Sequence, residues 1–304
     1  MVLAFATVLL WGLLAIALRL LIVGGMDGFT ITWYRMIASA LLLGAFQARR
    51  GQLPALGGLS RRTSVLLAVA LTGLVANYVL FAVSLEYVPP ATAQLVIQLA
   101  PLLFLAGSLA VFRETFSRPQ WLGVVALLAG LLLFFSDRLG TLVSLSGAEA
   151  IGVALVVVSA VVWACYALAQ KQLLLTFSSE NILLLIYIGA SVLLAPLASP
   201  RQILGLSGFE NGLLVFAIFN TIAAYGSFAE ALEHWEASRV SAVISLTPLV
   251  TLGAVYAILA VWPSADVGGR LDTLGLFGAG LIVAGSATTA LWRRATRVAP
   301  VDME

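Results

Sequence analysis

One cysteine (Cys165), one histidine (His234) and one lysine (Lys171) are all that the 304 residues hold of those three types. A lone cysteine has no partner in its own chain, so no disulfide framework organises the fold. One histidine and one cysteine are also too few for a His/Cys metal site. The single lysine follows Gln170 and no Gly-x-x-x-x-Gly-Lys occurs, so the chain carries no ATP-binding phosphate loop. No His-Glu-x-x-His stretch is present and no pair of aspartates lies inside an apolar run. The usual constellations of an intramembrane enzyme therefore lack their parts, and neither a catalytic residue nor a cofactor is expected. Charge is scarce as well, at 10% of residues, against about 25% in an ordinary soluble domain. A net charge of only +2 offers nothing to a nucleic-acid partner.

Apolar sequence fills the space that charge leaves. The hydrophobic set makes up 62% of the chain and the mean hydropathy is +1.07, values that suit an outer surface facing lipid. A helix needs about 20 apolar residues to cross a bilayer. Breaking the sequence at charges, prolines and glycine-rich stretches leaves ten such segments, near 2–22, 28–47, 63–84, 90–111, 120–136, 149–170, 181–198, 211–232, 239–261 and 273–292. The runs are long, continuous and rich in Leu and Ala, and open sheet edges cannot face lipid. The fold class is therefore all-α: a polytopic membrane protein with ten transmembrane helices. Residues 1–6 enter the first apolar run without a basic segment, which reads as a retained helix rather than a signal peptide.

Charge placement orients the chain. With the N-terminus in the cytoplasm, eleven basic residues fall on the cytoplasmic side, among them Arg49, Arg50, Arg61, Arg62, Arg113, Arg118 and Lys171, against five (Arg19, Arg35, Arg138, Arg201 and Arg270) on the other. The positive-inside rule then puts both termini in the cytoplasm.

The sequence also repeats itself. At an offset of 147, Tyr78 meets Tyr225, Phe81 meets Phe228, Glu86 meets Glu233 and Pro101 meets Pro248. At 152, Trp11 meets Trp163 and Arg19 meets Lys171; at 153, Tyr34 meets Tyr187; at 155, Gly123 and Gly130 meet Gly278 and Gly285. Two five-helix repeats follow, at 1–136 and 149–292, with a cytoplasmic tail at 293–304. Five is odd, so the second repeat enters the membrane inverted. Inverted repeats are a hallmark of secondary transporters, which bind substrate near the midplane where the halves meet.

Residues suited to such a site occur in matched pairs. Gln94, Gln98 and Pro101 share one helical face at i, i+4 and i+7, and Ser241, Ser245 and Pro248 repeat the pattern. Such stripes either line a cavity or hydrogen-bond between helices; their coincidence in both repeats favours the cavity. Trp11, Trp163, Tyr78 and Tyr225 offer apolar rings with polar tips, and Asn77 and Asn220 are polar at membrane depth. Gly12, Pro101 and Pro248 are plausible bending points. Arg19, Arg35 and Lys171 lie toward helix ends, where long basic side chains usually snorkel to headgroups; a substrate carboxylate or a helix end is the alternative partner. No carboxylate lies in the middle of the first or sixth helix. Glycines 123, 130, 278 and 285 allow close helix approach, either within the scaffold or at a dimer surface. One polypeptide with both repeats can form a complete transport unit, so a monomer suffices.

Leu10-Trp11-Gly12 in the first helix, Glu86-Tyr87-Val88-Pro89 leading to Pro101, and Arg113-Glu114 before the Gly123-to-Gly130 helix resemble the EamA type of the drug/metabolite transporter superfamily. The resemblance covers roughly residues 7 to 292. It implies a ten-helix carrier of the bacterial inner membrane, working by alternating access on a small-molecule substrate. Within that superfamily the chain is similar in overall character to the YddG-type exporters of aromatic and other neutral amino acids. The second repeat departs from the pattern: where the first has Glu114, it reads Trp262 to Arg270 with no glutamate. A metabolite or drug carrier of another specificity, and a channel, remain the competing readings; an intramembrane enzyme is the third.

Overall fold

The computed structural model describes residues 2–54, 57, 59–113, 116–134, 136, 147–263 and 273–292, and among these no strand occurs. Glu114, Arg138, Asp266, Arg270 and the tail at 293–304 lie outside the described residues. The helices in chain order are α1 (Val2–Val23), α2 (Gly28–Arg50), α3 (Arg61–Tyr87), α4 (Pro90–Val96), α5 (Leu99–Val111) and α6 (Arg118–Phe134). They continue as α7 (Gly147–Leu173), α8 (Ser179–Leu194), α9 (Gly208–His234), α10 (Ala237–Ile244), α11 (Thr247–Val261) and α12 (Thr273–Leu291). A short 3-10 turn at Pro200–Gly205 joins α8 to α9. Seven helical spans are long and apolar enough to cross a membrane, with 92–111 and 237–261 each taken as one; the helices at 118–134, 179–194 and 273–289 are shorter and equally apolar.

Short polar caps set where these helices start. Ser60 accepts from the amide of Thr63, Ser178 from that of Asn181, and Asp27 from that of Thr30. Ser207 and Glu210 form a reciprocal capping box at the head of α9. Each cap satisfies amides that a helix start leaves without a partner.

The outside of the bundle is apolar. In α6 the exposed positions include Trp121, Leu122, Val125, Leu128 and Leu132, while Gly123 and Gly130 are buried beside Leu127 and Leu131. Large apolar residues on the outer face are the reverse of a soluble helix and suit packing in lipid. α6 and α12 meet backbone to backbone: a Cβ on Gly130 would lie 2.6 Å from the amide nitrogen of Ile282, and one on Gly123 would lie 2.8 Å from the carbonyl of Gly285. The four glycines thus pack within this chain, on the scaffold side of the two readings.

The helix pairings follow a pattern. α3 packs on α7 as α9 packs on α1; α5 packs on α7 as α11 packs on α1; α4 meets α11 as α10 meets α5; α6 pairs with α12, and α2 with α8. Exchanging the first six helices for the last six returns these pairs, although α10 also packs on α12 without a comparable contact of α4 with α6.

Candidate functional site

Two helix breaks organise the centre. Pro101 and Pro248 have no N–H to give to the carbonyls four residues earlier, those of Ile97 and Ile244. The chain breaks there, between α4 and α5 and between α10 and α11. The freed carbonyls find other donors: Ala100 N–H reaches Ile97 at 2.8 Å, and the Thr247 hydroxyl reaches Ile244 at 2.6 Å. α4 meets α7 and α11 of the second six helices, and α10 meets α1 and α5 of the first six, so both breaks lie where the two sets pack together.

Beside the breaks lies a cavity lined by sixteen residues. Seven of the sequence-derived candidates are among them: Trp11, Asn77, Tyr78, Gln94, Gln98, Trp163 and Tyr225. Its volume, counted for the centres of water-sized molecules, is about 90 Å³. One water needs about 10–15 Å³ on that measure, so the space holds roughly six to nine water-sized groups. Leu14, Ala15 and Leu18 line it from the second half of α1, Asn77, Tyr78 and Phe81 from that of α3, and Arg35 from the first half of α2. Trp11 joins them from near the middle of α1, and Trp163 and Tyr225 from the second halves of α7 and α9. The cavity therefore occupies the side of the bundle where α1 ends and α2 begins. On its other side the rings close up. Trp163 stands 5.3 Å from Phe228, 5.7 Å from Trp11, 5.9 Å from Phe104 and 6.4 Å from Tyr166, centroid to centroid. Phe104, Tyr166 and Phe228 are fully buried beneath it. Tyr225 bridges the floor and the wall, 5.0 Å from both Trp11 and Tyr78.

Polar groups are held in place by neighbouring helices. Asn77 donates to the Ser159 hydroxyl of α7 at 2.8 Å and accepts from Tyr225 at 3.4 Å. Gln98 donates to the carbonyl of Ser245 at 3.1 Å.

Ser241 and Ser245 are placed differently from Gln94 and Gln98. They line a smaller gap against α6 and α12 rather than the central cavity. The Ser241 hydroxyl donates to the carbonyl of Pro101, and that of Ser245 to the carbonyl of Ser241 at 3.1 Å. Both serines thus tie backbone to backbone. The two faces are equivalent in sequence, but only the glutamine face borders the open half. Asn220 also bonds between helices, donating to the carbonyl of Leu10 at 2.6 Å. Gly12 lies in an unbroken stretch of α1, where a Cβ would come within 2.7 Å of Val250. Its carbonyl accepts from the Thr251 hydroxyl at 2.9 Å, so it marks a tight crossing of α1 over α11. Tyr34 and Tyr187 stay out of the cavity, their hydroxyls donating to the carbonyls of Pro200 and Thr221.

The basic residues correct the snorkelling expectation. Arg19 donates to the carbonyl of Leu85 at the end of α3, at 2.6 Å. Its repeat mate Lys171 donates to the carbonyls of Leu232 and Trp235 at the end of α9. A cation at a helix C-terminus satisfies carbonyls that have no intrahelical donor and complements the macrodipole. Arg35 departs further: it is 1% exposed and lines the central cavity. Position along α2 indicated depth, but not which way the side chain turned, so the sequence favoured snorkelling and held a substrate carboxylate as the alternative. Among the described residues no group of three or more His, Cys, Asp or Glu could hold a metal.

The model of the EamA-like transporter family matches residues 1–136 and again 150–291. The chain is 37% identical over 293 residues to the uncharacterized inner membrane transporter YhbE of Escherichia coli K12, covering 96% of this chain and 91% of that one. It is 35% identical over 288 residues to an uncharacterized transporter of Haemophilus influenzae, covering 95% and 93%. A protein of known crystal structure, 19% identical, superposes with a TM-score of 0.72 over 95% of this chain and 96% of its own.

Proposed function

Since the chain belongs to the EamA-like transporter family, we propose that this membrane transporter is a secondary carrier of the bacterial inner membrane. It exports small organic solutes, above all neutral and aromatic amino acids, by alternating access. The observation that carries this reading is the central cavity: room for a molecule of amino-acid size, walls of Trp11, Tyr78, Trp163 and Tyr225, and the amides of Asn77, Gln94 and Gln98. Flat apolar rings with a few placed polar groups suit a solute with an apolar body and a polar head.

Seven long apolar helical spans, with three shorter apolar helices beside them, support the ten-helix reading. The exchange of pairings between the first and last six helices supports two inverted repeats. With the N-terminus in the cytoplasm, the cavity lies toward the periplasm and the ring cluster of Phe104, Tyr166 and Phe228 seals the cytoplasmic side. Export then requires this cluster to part while the opposite side closes, with flexing at the breaks set by Pro101 and Pro248. YhbE bears the name of an inner membrane transporter, which supports the location.

The test is counterflow. Purified protein in liposomes preloaded with unlabelled Phe, Leu, Met and Thr should take up the labelled forms saturably, faster with internal substrate than without. Flux that does not saturate and ignores internal substrate would mean a channel. A response to a proton gradient would reveal coupling.

A further inference from the structure

Among the described residues, the central cavity has one permanent cation and no anion. None of its sixteen lining residues is acidic, and Arg35 is the one basic residue among them. Arg35 Nε donates to the Thr221 hydroxyl at 2.9 Å, and its guanidinium carbon lies 4.7 Å from the ring centroid of Tyr78. These contacts fix the group in place without neutralising it. Nη2 has no hydrogen-bond partner among the described residues, and the same holds for Trp11 Nε1 and the Tyr78 hydroxyl. All three belong to lining residues.

A charge held away from water is costly unless an opposite charge joins it, and inside a membrane protein such a group marks a ligand or ion pathway. Water entering the cavity can satisfy donors but brings no negative charge. What the site lacks is an acceptor carrying charge, of a size that fits beside the rings.

We propose that Arg35 is the receptor for a carboxylate on the cargo, and that this carboxylate, rather than an amino group, is what the site requires. The cargo class is then small monocarboxylates with an apolar or aromatic tail. Neutral amino acids form one subset, and their desamino and 2-oxo counterparts form another. The inference rests on the carrier reading above. The planar guanidinium fork matches one carboxylate. A dicarboxylate or a phosphate dianion would bring a second charge with nothing to meet it. An ammonium group finds only ring faces and amide oxygens, which tolerate a cation without selecting for one.

Wild-type protein in liposomes tests this without any substitution. Exchange of labelled phenylalanine is compared with exchange of 3-phenylpropionate, which lacks the amino group, and phenethylamine, which lacks the carboxylate. Phenylpropionate should exchange within a few-fold of phenylalanine, and phenethylamine should fall at least about tenfold below, because its loss leaves buried donors unpaired. Phenethylamine exchanging as well as phenylalanine overturns the proposal and leaves the carrier reading intact. Exchange of phenylpropionate but not phenylalanine overturns the amino-acid reading and supports this one. No exchange of any of the three overturns both. Running the assay at high and at minimal chloride, with sorbitol holding the osmolarity, separates the cargo's own carboxylate from a resident inorganic anion; loss of exchange at minimal chloride overturns the proposal. As a second measurement, 3-phenylpropionate should raise the melting temperature of detergent-solubilised wild type and leave folded Arg35→Gln unmoved. An equal rise in both would overturn it.

Discussion

Trp163 touches four other rings as well as the cavity, so the choice of substitution decides which of its roles an experiment reads. Trp163→Ala removes a side chain that is 4% exposed and should cost about 3–5 kcal/mol through the void it leaves. It is expected to lower membrane abundance together with transport. Trp163→Phe keeps an aromatic ring against Phe228 and Phe104. It should keep abundance near wild type while exchange of aromatic substrates drops several-fold; unchanged exchange would remove Trp163 from the site. Ser241 gives the opposite expectation. Ser241→Ala loses the bond to the Pro101 carbonyl and should lower stability by about 1 kcal/mol, with substrate affinity unaltered. A clear shift in affinity would return Ser241 to the substrate path. Trp11, Trp163, Tyr78 and Tyr225 were legible in the sequence because rings repeat rarely enough to be noticed. The direction in which Arg35 turns was not legible, because one turn of α2 presents residues to lipid, to α9 and to the cavity alike.

At the scale of elements, proline and glycine carry most of the local instruction. Each proline removes one backbone donor, and the break lies within the turn before it, at Ile97–Gln98 and at Ser245–Leu246. The sequence predicted a bend there; that the span divides into α4 with α5, and α10 with α11, emerged in the structure. Glycines on α6 and α12 let two backbones touch. A methyl at Gly130 would meet both Ile282 and the carbonyl of Gly278, so Gly130→Ala should lower stability by about 1–3 kcal/mol through overpacking. Thermal melting in detergent checks this, and an unshifted midpoint would mean that the pair has room to part. Arg19 and Lys171 show how a symmetric pattern acquires its meaning. Their match at an offset of 152 was visible, but the carbonyls they hold, at the ends of α3 and α9, are distant in sequence.

The whole molecule departs from its own symmetry. Helix pairs exchange between halves, yet only one of the two matched polar faces borders an open cavity while the other is packed shut. A carrier caught with one side open would look like this, and side-specific labelling can test it. In a Cys165→Ser background, a cysteine replacing Phe81, which lines the cavity, should react with a membrane-impermeant maleimide added from the periplasm. A cysteine replacing Phe104, buried under the ring floor, should not. Added substrate should lower the Phe81→Cys rate by favouring the occluded or opposite state. Equal labelling of both positions would contradict a cavity with one open side.

The sequence by itself determined what depends on composition and local order. Scarce charge and long apolar runs dictate helices in lipid. Prolines, caps and glycines dictate where those helices start, break and touch, and the matched Trp, Tyr, Glu and Pro positions point to two repeats. Only the tertiary structure decided which face of each helix turns inward. It assigned glutamines to the cavity and serines to the packing, set two cations on helix ends, and buried a third beside the rings with part of its guanidinium unpaired. The reason is physical: a period of 3.6 residues fixes which side chains share a face, while the neighbour that face meets depends on residues a hundred or more positions away.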